Sequence, residues 1–550
     1  MDIVTLCLFL LLAVVVSGVL SRLLPSALPR PLVQIALGAV IGTAAGTRVD
    51  LDPELFFLLL VPPLLFLDGW RIPKDELFRD GRAVLGLALG LVFLTVLGLG
   101  LFVHWLIPAM PLAVSFALAA VVSPTDPIAV GAVAQKVPIP KRMMHILEGE
   151  SLLNDASGLV CLRFAIAAAL SGTFSLATAA GTFVWMALAG VAIGSAITWL
   201  AITGKALFAR HFGDDQGSSI LVSLLLPFGA YLAAEHLHAS GVLAAAAAGI
   251  AMTFAGNGAA VGASTRIRQR AVWDMLQFTL NGVIFVLLGE QLPGLLTGAR
   301  AAVAGTGHDS AWWLAIYVLA IVAMLAALRF GWVWLSLQLT LFRARRRGGE
   351  GAGSPPRRII GAMSVAGARG AITLAAALTL PLTLPGGAPF PARGLVILLA
   401  SGVILASLLI ASIGLPLLLR GLRLPADEGA AGERDHARIV TAKAAIAEIE
   451  RVQHDLAVNS GEADRYTDIA ARLMAQYRER IESVGVDGER RIEEDRDRRI
   501  DRELRLAAVR AERRSLFELA ERREIGLTLA EQLGRELDLS DARLTRFGGW

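Results

Sequence analysis

Apolar residues in this chain come in runs too long for the core of a water-soluble protein. They fall at about 3–20, 32–47, 54–69, 83–106, 111–135, 143–170, 176–202, 217–235, 239–256, 271–292, 311–342, 358–380 and 394–419, separated by short polar connections. Several approach or exceed the ~18 apolar residues that mark a membrane-spanning helix. The pattern therefore predicts thirteen spans. The first run follows Asp2 rather than a basic segment, and no small-residue cleavage site comes after it. It is expected to stay as the first spanning helix instead of leaving as a signal peptide.

Lys and Arg sharpen this reading. With the N-terminus placed outside, the inner connections hold twenty of them, from Arg22 and Arg30 through Arg71, Lys136, Lys205 and Arg266 to the cluster Arg343–Arg358. The outer connections hold only Arg48, Arg300 and Arg393. A bias that recurs loop after loop is the positive-inside rule, and a missed or extra helix would scramble it. Thirteen also divides as six, one and six, the plan of two inverted repeats joined by a connecting helix.

Beyond Pro425 the texture changes. Residues 425–550 carry 28 of the 47 acids and 23 of the 51 Lys and Arg. Ala437–Val452 and Arg490–Leu533 favour helix, with Gly429, Gly432, Gly461 and Gly485 as punctuation. A regulatory or dimer-supporting helical domain and a plain solvated tail both fit. The expected fold class is thus an all-α polytopic membrane protein, with a transmembrane domain over 1–424 and a cytoplasmic charged helical tail over 425–550. A net charge of +4 is too mild to argue for nucleic acid. Cys7 and Cys161 both sit in apolar runs, which excludes a disulfide framework or a cysteine metal site.

Two polar interruptions stand out. Glu148–Val160 reads E-G-E-S-L-L-N-D-A-S-G-L-V, and upstream lies S-P-T-D-P, with Thr125 and Asp126 between Pro124 and Pro127. Charged side chains near the bilayer centre cost ~2.5–3.5 kcal/mol each on insertion scales and mark function by default. Under the repeat symmetry the fifth segment matches the twelfth, where V-A-G-A-R-G-A places Arg369 between glycines. Paired breaks of this kind point to a transport site. On the sixth helix Ser151 and Asp155 share one face and Glu150 and Asn154 the adjoining one. Glu150 and Asp155 lie about 140° apart around the helix, so Asp155 is expected to face the broken fifth helix while Glu150 faces elsewhere, with Arg369 as its ion-pair partner.

Hard monovalent cations prefer oxygen ligands, which Asp155, Asp126, Ser151, Thr125, Asn154 and unwound carbonyls supply. A buried carboxyl that holds either a proton or a cation makes their competition the coupling. A channel through the broken helices is a rival reading, as is K⁺ in place of Na⁺. A hydrolase built on Ser151, His145 and Glu148 fails on spacing, since Ser151 and His145 lie about 240° apart around a helix. Asn281 is expected to pack between helices, Glu290 to face water at a helix end, and Arg163 to snorkel outward. Glu235, His236 and His238 read as a polar outer loop rather than a metal site.

V-V-S-P-T-D-P-I-A-V, E-S-L-L-N-D-A, F-T-L-N-G-V-I-F-V-L-L-G and G-A-R-G-A-I-T-L together resemble the bacterial sodium/proton exchangers of the cation/proton antiporter-1 family, over about residues 1–424. The resemblance implies that Asp155 is the ion-binding aspartate, and that Asn154, where electrogenic relatives carry a second Asp, goes with electroneutral exchange. It implies that Thr125 and Asp126 sit at the unwound helix and that Glu150 and Arg369 form a structural ion pair. It also implies a homodimer in a bacterial cell membrane, an elevator-like movement of a core domain, and no cofactor beyond the transported Na⁺ or K⁺ and H⁺. One position departs from the pattern. Many members carry an acid five residues after the first Pro of a P-P-x-x motif, where this chain has Leu67 followed by Asp68. Asp68 is left as an accessory candidate.

Overall fold

The computed structural model describes residues 3–23, 29–45, 53–71, 81–126, 141–171, 176–212, 215–255, 263–308, 310, 312–346, 357–385, 387–420, 428–459, 463–482, 488–522 and 524–546. Contacts divide the chain into two compact units, Met1–Leu422 and Arg423–Trp550. The expected boundary after residue 424 falls outside the described residues.

The first unit is helical almost throughout what is described. Its helices are α1 (Ile3–Leu23), α2 (Arg30–Ala45), α3 (Pro53–Arg71), α4 (Gly81–Leu106), α5 (Leu112–Val122), α6 (Lys141–Ser171), α7 (Leu176–Phe212), α8 (Gln216–His236), α9 (Gly241–Ala255), α10 (Ala263–Ala304), α11 (Trp312–Arg346), α12 (Arg357–Val365), α13 (Ala371–Leu378) and α14 (Arg393–Leu419). Among the described residues α4, α6, α7, α8, α10, α11 and α14 are long and apolar enough to cross a membrane, and α1, α2, α5 and α9 are shorter apolar helices. Apolar surroundings offer no partner for a free amide or carbonyl, so the backbone must bond within each segment, and helices do this. Leu8, Val15, Trp105, Trp185, Trp199 and Trp312 point outward with more than half of their surface uncovered. Such faces suit lipid and would be a liability in water.

Lipid tails are as apolar as leucine, so these helices are held by close packing rather than by escape from water. Helix α9, rich in alanine, packs against α3, α7 and α8, and α2 packs along α10. Gly249 on α9 lies directly against the carbonyl of Phe66 on α3, where a Cβ would overlap that oxygen. At one end of α3, Phe66 stacks on Trp273 of α10 at 5.1 Å, and Arg71 pairs with Asp274. The α8 N-terminus is capped by Asp215, whose carboxylate accepts from the Ser218 amide at 2.8 Å and hydroxyl at 2.5 Å.

Two places depart from regular helix where the site is built. Helix α5 stops at Val122; Ser123 keeps helical φ and ψ, and residues 124–126 follow without helical structure. Pro124 has no amide to donate to the carbonyl four residues earlier, which ends the helix there. Pro127 and the residues to 140 lie outside the described residues. The twelfth expected run is divided, with α12 and α13 separated by Ala366–Gly370.

The second unit contains α15 (Glu428–Asn459), α16 (Ala463–Glu482), α17 (Gly488–Glu521) and α18 (Leu527–Arg546). Helix α15 runs through Gly429 and Gly432, expected as punctuation; the surrounding Ala and Glu carry the helix past them. Helix α15 packs on α16, and α17 on α18, the latter pair joined by Arg513 to Asp538 at 2.7 Å and Asp541 at 3.2 Å.

Candidate ion-binding site

The site forms where α6 crosses the two interruptions. Ser151, Asn154, Asp155 and Gly158 follow one another at helical spacing on the face of α6 turned to the first break. The Ser151 hydroxyl donates to the Thr125 carbonyl at 2.5 Å. Asn154 makes a two-way pair with Ser123, its Nδ2 donating to the backbone carbonyl at 3.2 Å and its Oδ1 accepting from the hydroxyl at 3.3 Å. Gly158 faces the Pro124 ring, where a Cβ would come within 2.9 Å of Cγ. The missing side chain lets α6 lie against the break. Asp155, 3% exposed, sits between these contacts.

The breaks are also bonded to each other. The Asp126 amide donates to the Ala368 carbonyl at 2.7 Å, and Arg369 Nε donates to the Val122 carbonyl at 2.9 Å. Arg369 also donates to the Gly367 carbonyl, and its amide donates to the Ser407 hydroxyl of α14 at 3.0 Å. The guanidinium thus satisfies carbonyls that the interrupted helices leave over. Gly370, at the N-cap of α13, lies against the Asp126 carboxylate, which a Cβ would overlap. The carboxylate therefore sits at the electropositive end of a helix.

A cavity of about 20 Å³ opens between these elements. Asp68 from α3, Thr125 and Asp126 from the first break, Asp155 from α6, Asn281 from α10 and Thr373 from α13 line it. It has room for about one water-sized particle. Asp155 feels both Asp68 and Asp126 electrostatically. The one-residue offset from the family pattern is visible here, since Leu67 is buried in packing while Asp68 reaches the cavity wall.

Several expectations need correction. Glu150 does not take Arg369 as its partner. Its carboxylate meets Arg329 of α11, with Oε1 at 2.7 Å from Nη1 and Oε2 at 3.0 Å from Nη2. Arg329 also donates from Nε to the Met363 carbonyl at the end of α12. Arg369 stays within electrostatic reach of both residues, but its donors are committed to backbone carbonyls. Arg329 was missed, although a lone Arg inside the 311–342 apolar run is itself a signal, because an intramembrane charge needs a partner. Asn281, expected to pack between helices, lines the cavity. Glu290 is 7% exposed inside α10 rather than facing water. Arg163 pairs with Glu235 at 2.7 Å, and Glu235 Oε1 also accepts from the Gly241 amide at the start of α9. Glu235 and His236 belong to the last turn of α8, not to a loop.

Interrupted helices meeting at a carboxyl-lined cavity inside an apolar helical unit define the class, a secondary transporter. The transmembrane sodium/hydrogen exchanger family model matches residues 9–421, and the chain belongs to that family. It is 40% identical over 504 residues to the Escherichia coli K12 protein described as the uncharacterized Na(+)/H(+) exchanger YjcE, covering 91% of each chain. It is 37% identical over 494 residues to a sodium, potassium, lithium and rubidium/H(+) antiporter of Bacillus pumilus, covering 89% of this chain and 70% of the relative. In fold it resembles the sodium proton antiporter MjNhaP1 of Methanocaldococcus jannaschii, with a TM-score of 0.58 at 19% identity, over 76% of this chain and 99% of that one.

Proposed function

We propose that the protein exchanges a monovalent cation, Na⁺ foremost, for H⁺ across a bacterial cell membrane, with the Asp155 carboxyl as the group they share. The observation that carries this reading is the meeting of Asp68, Asp126 and Asp155, from three separate elements, at one cavity of about 20 Å³. Like charges gathered this closely repel, so the cluster is neutralised by protons or by a cation, and each displaces the other. Thr125, Ser151 and Asn154 hold the backbone of the break in place around Asp155. The family resemblance, with Asn154 where electrogenic relatives carry a second Asp, goes with one proton leaving for each cation bound, so that no net charge crosses. The membrane potential, worth ~2.3 kcal/mol per charge per 100 mV, then has no hold on the exchange.

The cycle we infer is alternating access with an elevator-like shift of the α5, α6, α12 and α13 group, in a homodimer whose N-terminus lies outside and whose tail is cytoplasmic. The name of the Bacillus pumilus relative supports a second cargo reading in which K⁺ also serves.

The test is proton flux in proteoliposomes with Na⁺, K⁺ or Li⁺ added separately, for wild type and Asp155→Asn. The Na⁺ and Li⁺ runs are repeated with valinomycin and balanced K⁺ to clamp the voltage. Cation-dependent proton movement in wild type alone, indifferent to the clamp, is expected. Equal flux in the Asn variant would remove Asp155 from the mechanism, and flux that follows the clamp would overturn electroneutrality.

A further inference from the structure

We propose that Thr373 is a cation ligand, its hydroxyl supplying the neutral oxygen that the second interrupted helix contributes to the cavity. This rests on the exchange reading above. Thr373 lies in the first turn of α13 and is 1% exposed, and it lines the same cavity as Asp155. Its Oγ1 has no hydrogen-bond partner among the described residues.

A threonine inside a helix ordinarily bonds back to the carbonyl three or four residues earlier. Thr203, Thr253, Thr279 and Thr441 in this chain all do so. For Thr373 the residues four and three earlier are Arg369 and Gly370, which belong to the break, where the backbone turns out of helical geometry. The usual acceptor is therefore misplaced, and the hydroxyl is left for whatever enters the cavity. Ser401 on α14 also has an unpartnered hydroxyl, but it lines none of the described cavities. Among the described residues and cavities, Thr373 is where an unsatisfied buried hydroxyl coincides with a space of ionic size. A buried hydroxyl is costly to leave unpaired, and a dehydrated cation needs neutral oxygens beside its carboxylate.

The experiment compares wild type, Thr373→Val, Thr373→Ser and Asp155→Asn in proteoliposomes, measuring cation half-saturation and maximal rate separately for Na⁺, Li⁺ and K⁺. Thr373→Val keeps the shape and removes the oxygen. We expect it to raise half-saturation about tenfold, by unequal factors for the three cations, with maximal rate within about twofold of wild type. Thr373→Ser keeps the oxygen and should match wild type. Should the Val variant not give a monodisperse protein, Thr373→Ala removes the hydroxyl without bulk and carries the same comparison. Unchanged half-saturation without the hydroxyl would overturn the proposal, as would a Ser variant as impaired as the Val one. An inactive Asp155→Asn beside an unaffected Thr373→Val would sink the ligand role alone, while an active Asp155→Asn would sink the exchange reading beneath it.

Discussion

Replacing Arg329 by Met should harm the fold more than any other single change at the buried ion pair, and adding Glu150→Gln should largely repair it. The two side chains are 3% and 7% exposed and meet through contacts of 2.7 and 3.0 Å. At about 3 Å and an effective dielectric of ~20, their attraction is about 5 kcal/mol. Desolvation consumes much of that, so the pair adds little net stability, yet removing one partner strands a buried charge at a cost of about 3–5 kcal/mol. That is a factor of roughly 10² to 5 × 10³ in the folded population. The double variant leaves neither member of the pair as a stranded charge and should recover most of the loss. Arg369→Met should behave differently. Its loss frees the Val122 and Gly367 carbonyls, a defect that Glu150→Gln does not mend. The assay is unfolding of the purified protein by SDS titration in mixed micelles, read by tryptophan fluorescence. If Glu150→Gln rescues Arg369→Met but not Arg329→Met, the pairing is misassigned and the reasoning fails.

Arg163 and Glu235 form a pair whose side chains are 39% and 31% exposed, so solvent screening holds its worth to under ~1 kcal/mol. Glu235→Ala also strips a carboxylate from the Gly241 amide and should cost about 1 kcal/mol more than Arg163→Ala in the same titration; equal losses would discount the cap. At α8, the Ser218 hydroxyl and amide hold the Asp215 carboxyl below the usual carboxylate range. A depressed folded value means the cap is fully effective above the unfolded value of ~3.9 and is lost as pH falls through the folded one. Protection of the first-turn amides of α8 against hydrogen exchange should therefore exceed that of Asp215→Asn at pH 6 and fall to meet it below about pH 4, and equal protection at pH 6 would contradict it.

The run pattern made most helices legible, because an apolar stretch in a bilayer has few conformations open to it. S-P-T-D-P and V-A-G-A-R-G-A were legible as breaks for the same reason, since Pro and Gly cannot continue a helix cheaply. Helical spacing correctly separated the directions of Asp155 and Glu150. What spacing could not provide was the partner of Glu150, which lies 179 residues away on a helix whose order of packing is invisible in one dimension. Arg369 looked like the partner because it was the ionisable group at the matching break, whereas its planar donors are used on carbonyls that only the folded breaks expose. Glu290 was misjudged because L-G-E-Q-L-P reads as a helix end, yet α10 continues through Pro293 to Ala304. The hydroxyl of Thr373 was overlooked because its orphaned state depends on the backbone behind it.

The bonds that join the two breaks have a consequence for how the protein is made. Val122 and Arg369 are 247 residues apart, and neither break can satisfy its loose carbonyls and amides alone. At about 5–20 residues per second, the first break leaves the ribosome roughly 10–50 s before its counterpart exists. During that interval the nascent chain holds a polar, unpaired kink in an apolar stretch, and it must be sheltered by the insertion machinery or by neighbouring helices. The transport site is therefore among the last parts of the membrane unit to be completed, and a chain cut short before α12 has half of it and none of its function.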